Sequence, residues 1–228
     1  MLAILYDIHG NLPALEAVLD DAREAGADRF MLGGDYALFG AWPHETVDLL
    51  RELDADWIRG NGERWTAHPR DAPQDEVVQG AVAACRESLG DELVGRLAAL
   101  PFDASRDGTR YVHASPVSDV RSFGPEHDDS EEEMLEGVLE TRLVFGHTHL
   151  PFKRRAKAGV ELVNPGSVGM PFDGDPRAAY AIVGDDGEVE HRRVEYDHAK
   201  SADAVRRRYE DPFADTVARR IEQAQFVT

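Results

Sequence analysis

Short apolar runs alternate with segments of helical period along the first quarter of the chain. The run at 2–6 predicts a buried strand that ends at Asp7. Apolar residues recur with helical spacing over 12–25, and Gly26 stands where a C-cap glycine is expected. The pattern continues through a strand at 29–32, a helix at 43–53, a strand at 56–59 and a turn at 60–62. This βαβαβ order is typical of a sheet with parallel strands and helical crossovers.

The remainder of the chain predicts further strands separated by helices and loops. We expect one or two helices over 73–100, within a cap-like helical excursion around 64–110, and a helical tail over 201–225. A loop at 116–133 leads into a predicted helix at 131–140. Strands are predicted at 110–113, 142–145, 160–163, 178–183 and 188–196, the last two joined by the turn Asp185-Asp186-Gly187. Because neither repeats nor a linker divide the chain, we expect a single domain over 1–228.

Composition is that of a globular protein, with 42% of the 228 residues hydrophobic and 30% charged. No apolar run approaches the roughly 18 to 20 residues of a membrane span, and the first strand is not preceded by a signal peptide pattern. The one cysteine, Cys85, cannot form an internal disulfide, which fits a reducing compartment. We therefore expect a cytoplasmic protein with no membrane partner.

The charge balance is strongly acidic. The chain has 25 basic and 44 acidic residues, a formal net charge of −19, and only the lysines Lys153, Lys157 and Lys200. An acidic, lysine-poor surface predicts a halophilic protein, because molar salt screens the self-repulsion; an acidic mesophilic protein is the alternative. In either case the charge argues against non-specific binding to nucleic acid.

Polar side chains follow the predicted strands. Asp7 and His9 come after the first strand, Asp35 after the second and Asn61 after the third; His113, His147 and His149 follow later strands. Ligands of parallel sheets gather at the carboxyl ends of the strands, so these residues can share one site. Any one of them alone is more often a structural residue than a ligand. Together, their nitrogen and oxygen donors suit Mn²⁺, Fe, Ni²⁺, Co²⁺ or Zn²⁺ better than Ca²⁺.

These residues carry a resemblance to a known family. The chain resembles the calcineurin-like metallophosphoesterase superfamily, above all its small YfcE-like bacterial and archaeal phosphodiesterases, over about residues 1–197. The motifs that carry it, in order, are Asp7-Ile8-His9-Gly10-Asn11, Gly34-Asp35, Gly60-Asn61, His113 and Gly146-His147-Thr148-His149.

The resemblance implies an α/β fold, a four-layer α/β/β/α sandwich in which two mixed β-sheets pack face to face. It implies that Asp7, His9 and His149 hold one divalent metal ion. Asn61, His113 and His147 would hold a second, and Asp35 would bridge the two. The expected cofactors are therefore two divalent ions, Mn first, with Ni, Fe, Co, Zn and Mg as alternatives.

The implied activity is hydrolysis of phosphodiester bonds, or of phosphomonoesters, by a hydroxide that bridges the metals. We expect a small phosphate ester or nucleotide-like substrate, and the common dimers among small relatives leave a homodimer open. Alternatives are a phosphatase of phosphoproteins or diadenosine polyphosphates, and, outside the enzymes, a non-catalytic scaffold of the same fold.

The chain departs from the family pattern at Gly62, where many members have a histidine proposed as general acid. Glu63 could protonate the leaving group instead, or could be a turn carboxylate. We also predict catalytic and substrate contacts for Asn61 and a substrate contact for Asn11. Arg64 and Arg121 could each bind a phosphate or be surface residues.

Overall fold

Two five-stranded mixed sheets form the centre of the computed structural model, which describes residues 1–228. The first has the order β10-β9-β1-β2-β3. Its strands are β1 (Leu2–Leu5), β2 (Arg29–Leu32), β3 (Ala55–Trp57), β9 (Ala178–Val183) and β10 (Val189–Val194). Strands β1, β2 and β3 are parallel, as predicted, with Leu2 opposite Arg29, while β9 runs antiparallel to both β1 and β10.

The second sheet has the order β4-β5-β6-β8-β7. Its strands are β4 (Asp103–Arg106), β5 (Thr109–Val112), β6 (Arg142–Val144), β7 (Phe152–Arg155) and β8 (Glu161–Asn164). The three central strands are parallel, and β4 and β7 are antiparallel edges. Both sheets thus place the carboxyl ends of parallel strands at one edge, where ligands can gather.

Seven helices accompany the sheets. They are α1 (Leu12–Glu24), α2 (Pro43–Leu50), α3 (Asn61–Ala67), α4 (Glu76–Ala98), α5 (Glu131–Met134), α6 (His198–Arg208) and α7 (Phe213–Gln223), with a short 3₁₀ helix at Pro69–Asp71. No helix is both long and apolar enough to pass through a membrane.

Successive side chains of β1 point to opposite faces of the first sheet and so belong to different hydrophobic clusters. Ala3 and Leu5 face the helices and join a large cluster that includes residues of α1, α2, α4, α6 and α7. Ile4 faces the other way and clusters with Val144 and Val163 of the second sheet, so the two sheets pack face to face. A third cluster covers the outer side of the second sheet, where α5 and neighbouring loops form a thin fourth layer. The predicted α/β/β/α sandwich is confirmed.

Several predicted elements differ from the structure. The expected turn at 60–62 is the start of α3, and the helix predicted over 131–140 ends at Met134, before Gly137 with its positive φ of 76°. Edge strands β4 and β7 were not predicted, because their sequences, Asp-Ala-Ser-Arg and Phe-Lys-Arg-Arg, lack an apolar run. The predicted excursion at 64–110 contains β4 as well as α4, which is bent at Gly90 and packs on α2, α3 and α7.

Candidate metal centre

The seven predicted ligands come together where the two sheets share an edge. Asp7 and His9 follow β1, Asp35 follows β2, and Asn61 opens α3; the second sheet supplies His113 after β5 and His147 and His149 after β6. All are buried except His147, which is partly buried. Burying this many polar side chains destabilises the folded state unless they bind one another or a cation.

The backbone at this edge is strained. Eight non-glycine residues in the chain have positive φ, and five of them are predicted ligands. The five are Asp7, His9, Asp35, His147 and His149, with φ between 51° and 68°. Left-handed backbone of this kind costs on the order of 1–3 kcal/mol per residue and is concentrated at functional sites. The strain turns side chains at the strand ends towards a common centre.

Asp7, His9 and His149 form the first group. The Nε2 atoms of His9 and His149 lie 3.0 Å apart, and Asp7 Oδ1 lies 3.5 Å from His149 Nε2 and 3.9 Å from His9 Nε2. These three donors lie close enough together to hold a single ion, which is the grouping that the resemblance implied.

Asn61, His113 and His147 form the second group. The inward amide atom of Asn61 lies 2.9 Å from both His113 Nε2 and His147 Nδ1. Asp35 lies between the groups, with Oδ1 3.5 Å from His113 Nε2 and Oδ2 4.0 Å from His9 Nε2. This position agrees with the bridging role that the resemblance implies for Asp35.

Backbone carbonyls orient three of the imidazoles. In each ring the outer nitrogen, Nδ1, donates to a carbonyl oxygen, so the inner Nε2 keeps its lone pair for the centre. The pairs are His9 with Leu38 at 3.0 Å, His113 with Gly33 at 2.8 Å and His149 with Met170 at 2.6 Å. Sequence reasoning did not find these carbonyls, because backbone partners leave no residue-type signal.

Burial and neighbouring charges together set the ionisation of the centre. It lowers the pKa of His9 to about 3 and that of His147 to about 4, so both rings are neutral, as metal ligands must be. Burial opposes ionisation of Asp7, but the neighbouring His149 and His113 hold its pKa below its ordinary value. Burial, reinforced by Glu63 and Asp7 and opposed by His113, raises the pKa of Asp35 to about 7.

The surroundings of Asp7 Oδ1 show that these residues fit a cation. It is fully buried, has no hydrogen-bond partner, and lies within 3.9 Å of the Nε2 atoms of His9, His113 and His149. A buried carboxylate oxygen surrounded by imidazole lone pairs is unfavourable without a positive charge. The donor set of carboxylate, amide and imidazole therefore fits the divalent metals predicted from the sequence.

Comparison with known proteins identifies the family. A family model described as the calcineurin-like phosphoesterase superfamily domain matches residues 1–186. The chain belongs to the calcineurin-like phosphoesterase superfamily. This phosphoesterase is accordingly a metal-dependent hydrolase of phosphoric esters, as the resemblance implied.

Individual relatives agree with this assignment. The phosphodiesterase YfcE of Escherichia coli K12 is 27% identical over 190 residues, covering 82% of this chain and 89% of the relative. A crystal structure of a metallophosphoesterase from Sphaerobacter thermophilus superposes with a TM-score of 0.83 at 28% identity, covering 98% of this chain and 99% of the other. A hypothetical protein from Pyrococcus horikoshii OT3 shares the fold, with a TM-score of 0.82 at 23% identity, covering 96% of this chain and 98% of the other.

Glu63 uses both oxygens to hold the backbone of the phosphoesterase. Oε2 accepts hydrogen bonds from Asp35 N at 2.9 Å and Gly60 N at 2.7 Å, and Oε1 accepts one from Tyr36 N at 2.9 Å. A carboxylate with three backbone donors orients the Asp35 loop. These contacts favour a positioning role for Glu63 over the predicted proton donation.

Gly62 contacts Asp35, the predicted bridging ligand, directly. Its backbone N–H donates to Asp35 Oδ1 at 2.7 Å, and a Cβ added at this position would lie 2.9 Å from the same oxygen. The histidine common at this position in the family therefore does not fit here unless Asp35 moves.

Asn11 supports the fold around the centre. Its amide nitrogen donates to Gly169 O at 2.8 Å and to Tyr196 Oη at 3.1 Å, and its oxygen accepts from Ser201 Oγ at 3.0 Å. These three partners already occupy both polar atoms of the side chain. The predicted substrate contact of Asn11 stays a prediction.

The two arginines considered as phosphate ligands are engaged elsewhere. Arg64 forms a bidentate pair with Asp119, with both nitrogen–oxygen distances 2.7 Å. Arg121 pairs with Glu133 on the surface. The structure instead brings Arg220, together with Phe172 and Phe226, to a cleft beside the ligands. The sequence positions of these three residues gave no sign that they would meet beside the ligands.

Proposed function

We propose that this protein is a two-metal phosphoesterase that hydrolyses phosphodiesters, with phosphomonoesters as its second substrate class. Asp7, His9 and His149 would hold one ion, and Asn61, His113 and His147 the other, with Asp35 shared. When bound, the two ions would activate a water molecule and neutralise charge on the phosphoryl oxygens.

The residues of the chain supply the remaining requirements. The strained strand ends and the backbone carbonyls fix the ligands before substrate arrives, so little reorganisation is needed. No imidazole stands at position 62, and Glu63 is held by three backbone donors. The proposed enzyme therefore favours substrates whose leaving groups have a low pKa and depart without a protein proton donor.

The single observation that supports two ions best is the arrangement around Asp35. Its two oxygens approach different histidines, His113 and His9, each of which belongs to a separate group of donors. A site for one ion would need only one of these groups.

Hydrolysis of bis-p-nitrophenyl phosphate tests the proposal. We expect the Mn²⁺-loaded protein to release p-nitrophenolate, EDTA to abolish release, and His149→Ala to reduce kcat/KM by roughly a hundredfold or more. His44→Ala is the matched control, because His44 is an exposed histidine on α2 that pairs with Asp48 and belongs to neither group of predicted ligands. The proposal fails if no activity appears with Mn²⁺, Ni²⁺, Co²⁺ or Zn²⁺ in both low and molar salt.

A substrate panel separates the alternatives. p-Nitrophenyl phosphate, a phosphopeptide and a diadenosine polyphosphate are assayed beside the diester under the same conditions. Preference for either of the last two would favour the corresponding phosphatase, and absence of both metal and activity would favour the scaffold.

A further inference from the structure

A cleft extends from the metal ligands to the C-terminal segment 224–228. Its volume is about 620 Å³, and its lining includes two predicted ligands, His9 and His149, and two residues of the C-terminal segment, Phe226 and Thr228. Pockets that enclose whole small molecules have volumes of about 300–1,000 Å³. The cleft therefore has room for much more than the reacting phosphoryl group.

Two phenylalanines form an aromatic wall beside the ligands. The ring of Phe172 stacks on the imidazole of His149, with centroids 4.4 Å apart and an interplanar angle of 20°. Phe226 meets Phe172 edge-to-face, with centroids 5.6 Å apart. Although Phe226 is fixed by this contact, 64% of its surface is exposed. A large aromatic ring held in place and open to a cleft is suited to stacking.

Arg220 brings an unpaired positive charge to the same cleft. Its guanidinium lies 4.4 Å from the centroid of Phe226, and its Nε donates to Val227 O at 2.8 Å. The residue is only 7% exposed, yet it forms no ion pair. Burial lowers the pKa of Arg220, and Asp75, which also lines the cleft, opposes this shift. In a chain with net charge −19, a buried arginine without a carboxylate partner calls for an anionic ligand.

We infer that Arg220, Phe226 and Phe172 form a second subsite, which binds the part of the substrate that does not react. The ring of a nucleobase would stack on the aromatic wall, and a phosphate other than the one being cleaved would bind the guanidinium. The substrate class is thus a nucleoside phosphodiester that carries an additional phosphate. This inference rests on the proposed function.

Two of the three subsite residues, Arg220 and Phe226, lie outside the part of the chain that the family model matches, whereas Phe172 lies within it. The family model ends at residue 186, whereas Arg220 lies on α7 and Phe226 follows that helix. Nucleobases stack on aromatic side chains with about 1–3 kcal/mol per base, which corresponds to roughly five- to 150-fold in affinity. Arginine adds planar, bidentate recognition of phosphate.

Three p-nitrophenyl diesters with the same leaving group test the subsite. They are methyl p-nitrophenyl phosphate, thymidine 5′-(p-nitrophenyl phosphate) and its 3′-phosphorylated form. We expect kcat/KM of the wild-type, Mn²⁺-loaded protein to rise by about tenfold or more with the nucleoside. We expect a further rise of about fivefold or more with the 3′-phosphate, because the guanidinium then gains an anionic partner.

Variants assign each gain to its residue. Phe226→Ala should remove most of the rise in kcat/KM that the nucleoside gives. Arg220→Met should remove the rise that the 3′-phosphate gives, whereas Arg220→Lys should retain part of that rise. Arg219→Met is the matched control, since Arg219 is the neighbouring arginine on α7, is half-buried and pairs with Asp215. Thermal melting confirms that each variant is folded, and calorimetric titration with thymidine 3′,5′-bisphosphate measures binding without turnover.

The outcomes distinguish the two proposals. Hydrolysis of the methyl ester with no gain from the nucleoside or the 3′-phosphate would overturn the subsite and leave the proposed function standing. Equal loss of both gains in Arg219→Met and Arg220→Met would also overturn it. Failure to hydrolyse any of the three esters, with the bisphosphate still bound through Arg220, would overturn the proposed function instead.

Discussion

Glu63 shows how one side chain can organise a centre without belonging to it. Its carboxylate receives backbone N–H groups from Asp35, Tyr36 and Gly60, which joins the end of β2 to the start of α3. Two predicted ligands, Asp35 and Asn61, therefore keep their positions through a residue that is not itself a predicted ligand. The cost of replacing it should appear in stability as well as in catalysis.

Glu63→Gln tests this role. Glutamine has one acceptor oxygen, so at least one backbone donor would face an amide N–H₂, and we expect a loss of about 1–3 kcal/mol in the free energy of unfolding of the metal-free protein. Urea denaturation measures it, with Glu45→Gln on α2 as the control. We expect kcat to fall by a similar factor for p-nitrophenyl and alkyl leaving groups. A much larger fall for the alkyl leaving group would show that Glu63 is the general acid.

Residue-level prediction from sequence succeeded where the residue type itself carried the signal. Asp7, His9 and His149 lie together as predicted, because strand ends and Asp/His chemistry are visible in the sequence. The surroundings of Asn11 and Glu63 were not predictable, since an amide or carboxylate gives no indication of its hydrogen-bond partners. Those partners, such as Ser201 for Asn11, are distant in sequence.

At the scale of elements, the one-turn helix α5 depends on Glu131. This carboxylate is only 3% exposed and pairs with Arg154 of β7, while it also accepts from Asp128 N at 3.2 Å. The contact attaches the thin outer layer to an edge strand of the second sheet. A buried ion pair of this kind is strongly destabilising when one partner is removed.

Glu131→Gln should lower the free energy of unfolding by about 1–3 kcal/mol near pH 7. Burial opposes ionisation, but Arg154 holds the pKa of Glu131 below its ordinary value of 4.5. The stabilisation is therefore fully present above pH 4.5 and is lost as the pH falls through the lowered folded pKa. Urea unfolding at several pH values measures the difference between wild type and variant. A difference that stays constant below pH 4.5 would contradict this account.

Elements with strong patterns were predicted, and weakly patterned ones were not. The parallel strands β1, β2 and β3 and the hairpin of β9 and β10 have apolar runs or turn signals. Edge strands β4 and β7 bury little, so their sequences are polar and their pairing depends on the rest of the sheet. The return of α7 to the metal centre is a tertiary contact that local sequence does not encode.

The whole molecule carries a net charge of −19, which should make its stability depend on salt. Self-repulsion destabilises the compact state, and the screening length shortens from about 10 Å at 0.1 M to about 3 Å at 1 M. We expect the melting temperature to rise by several degrees between these concentrations of NaCl. Circular dichroism measures the rise, with sucrose of equal osmolality as a control for surface exclusion. An unchanged or falling melting temperature would contradict the predicted halophilic character.

Calorimetric titration of the metal-free protein with Mn²⁺ counts the ions that bind around Asp35. Elemental analysis of the dialysed complex provides the independent count. We expect two ions per chain for the wild type and one or fewer for Asp35→Asn, in which the shared ligand is weakened. A single ion in the wild type, or the same stoichiometry and affinity in Asp35→Asn, would contradict a two-metal site shared by Asp35.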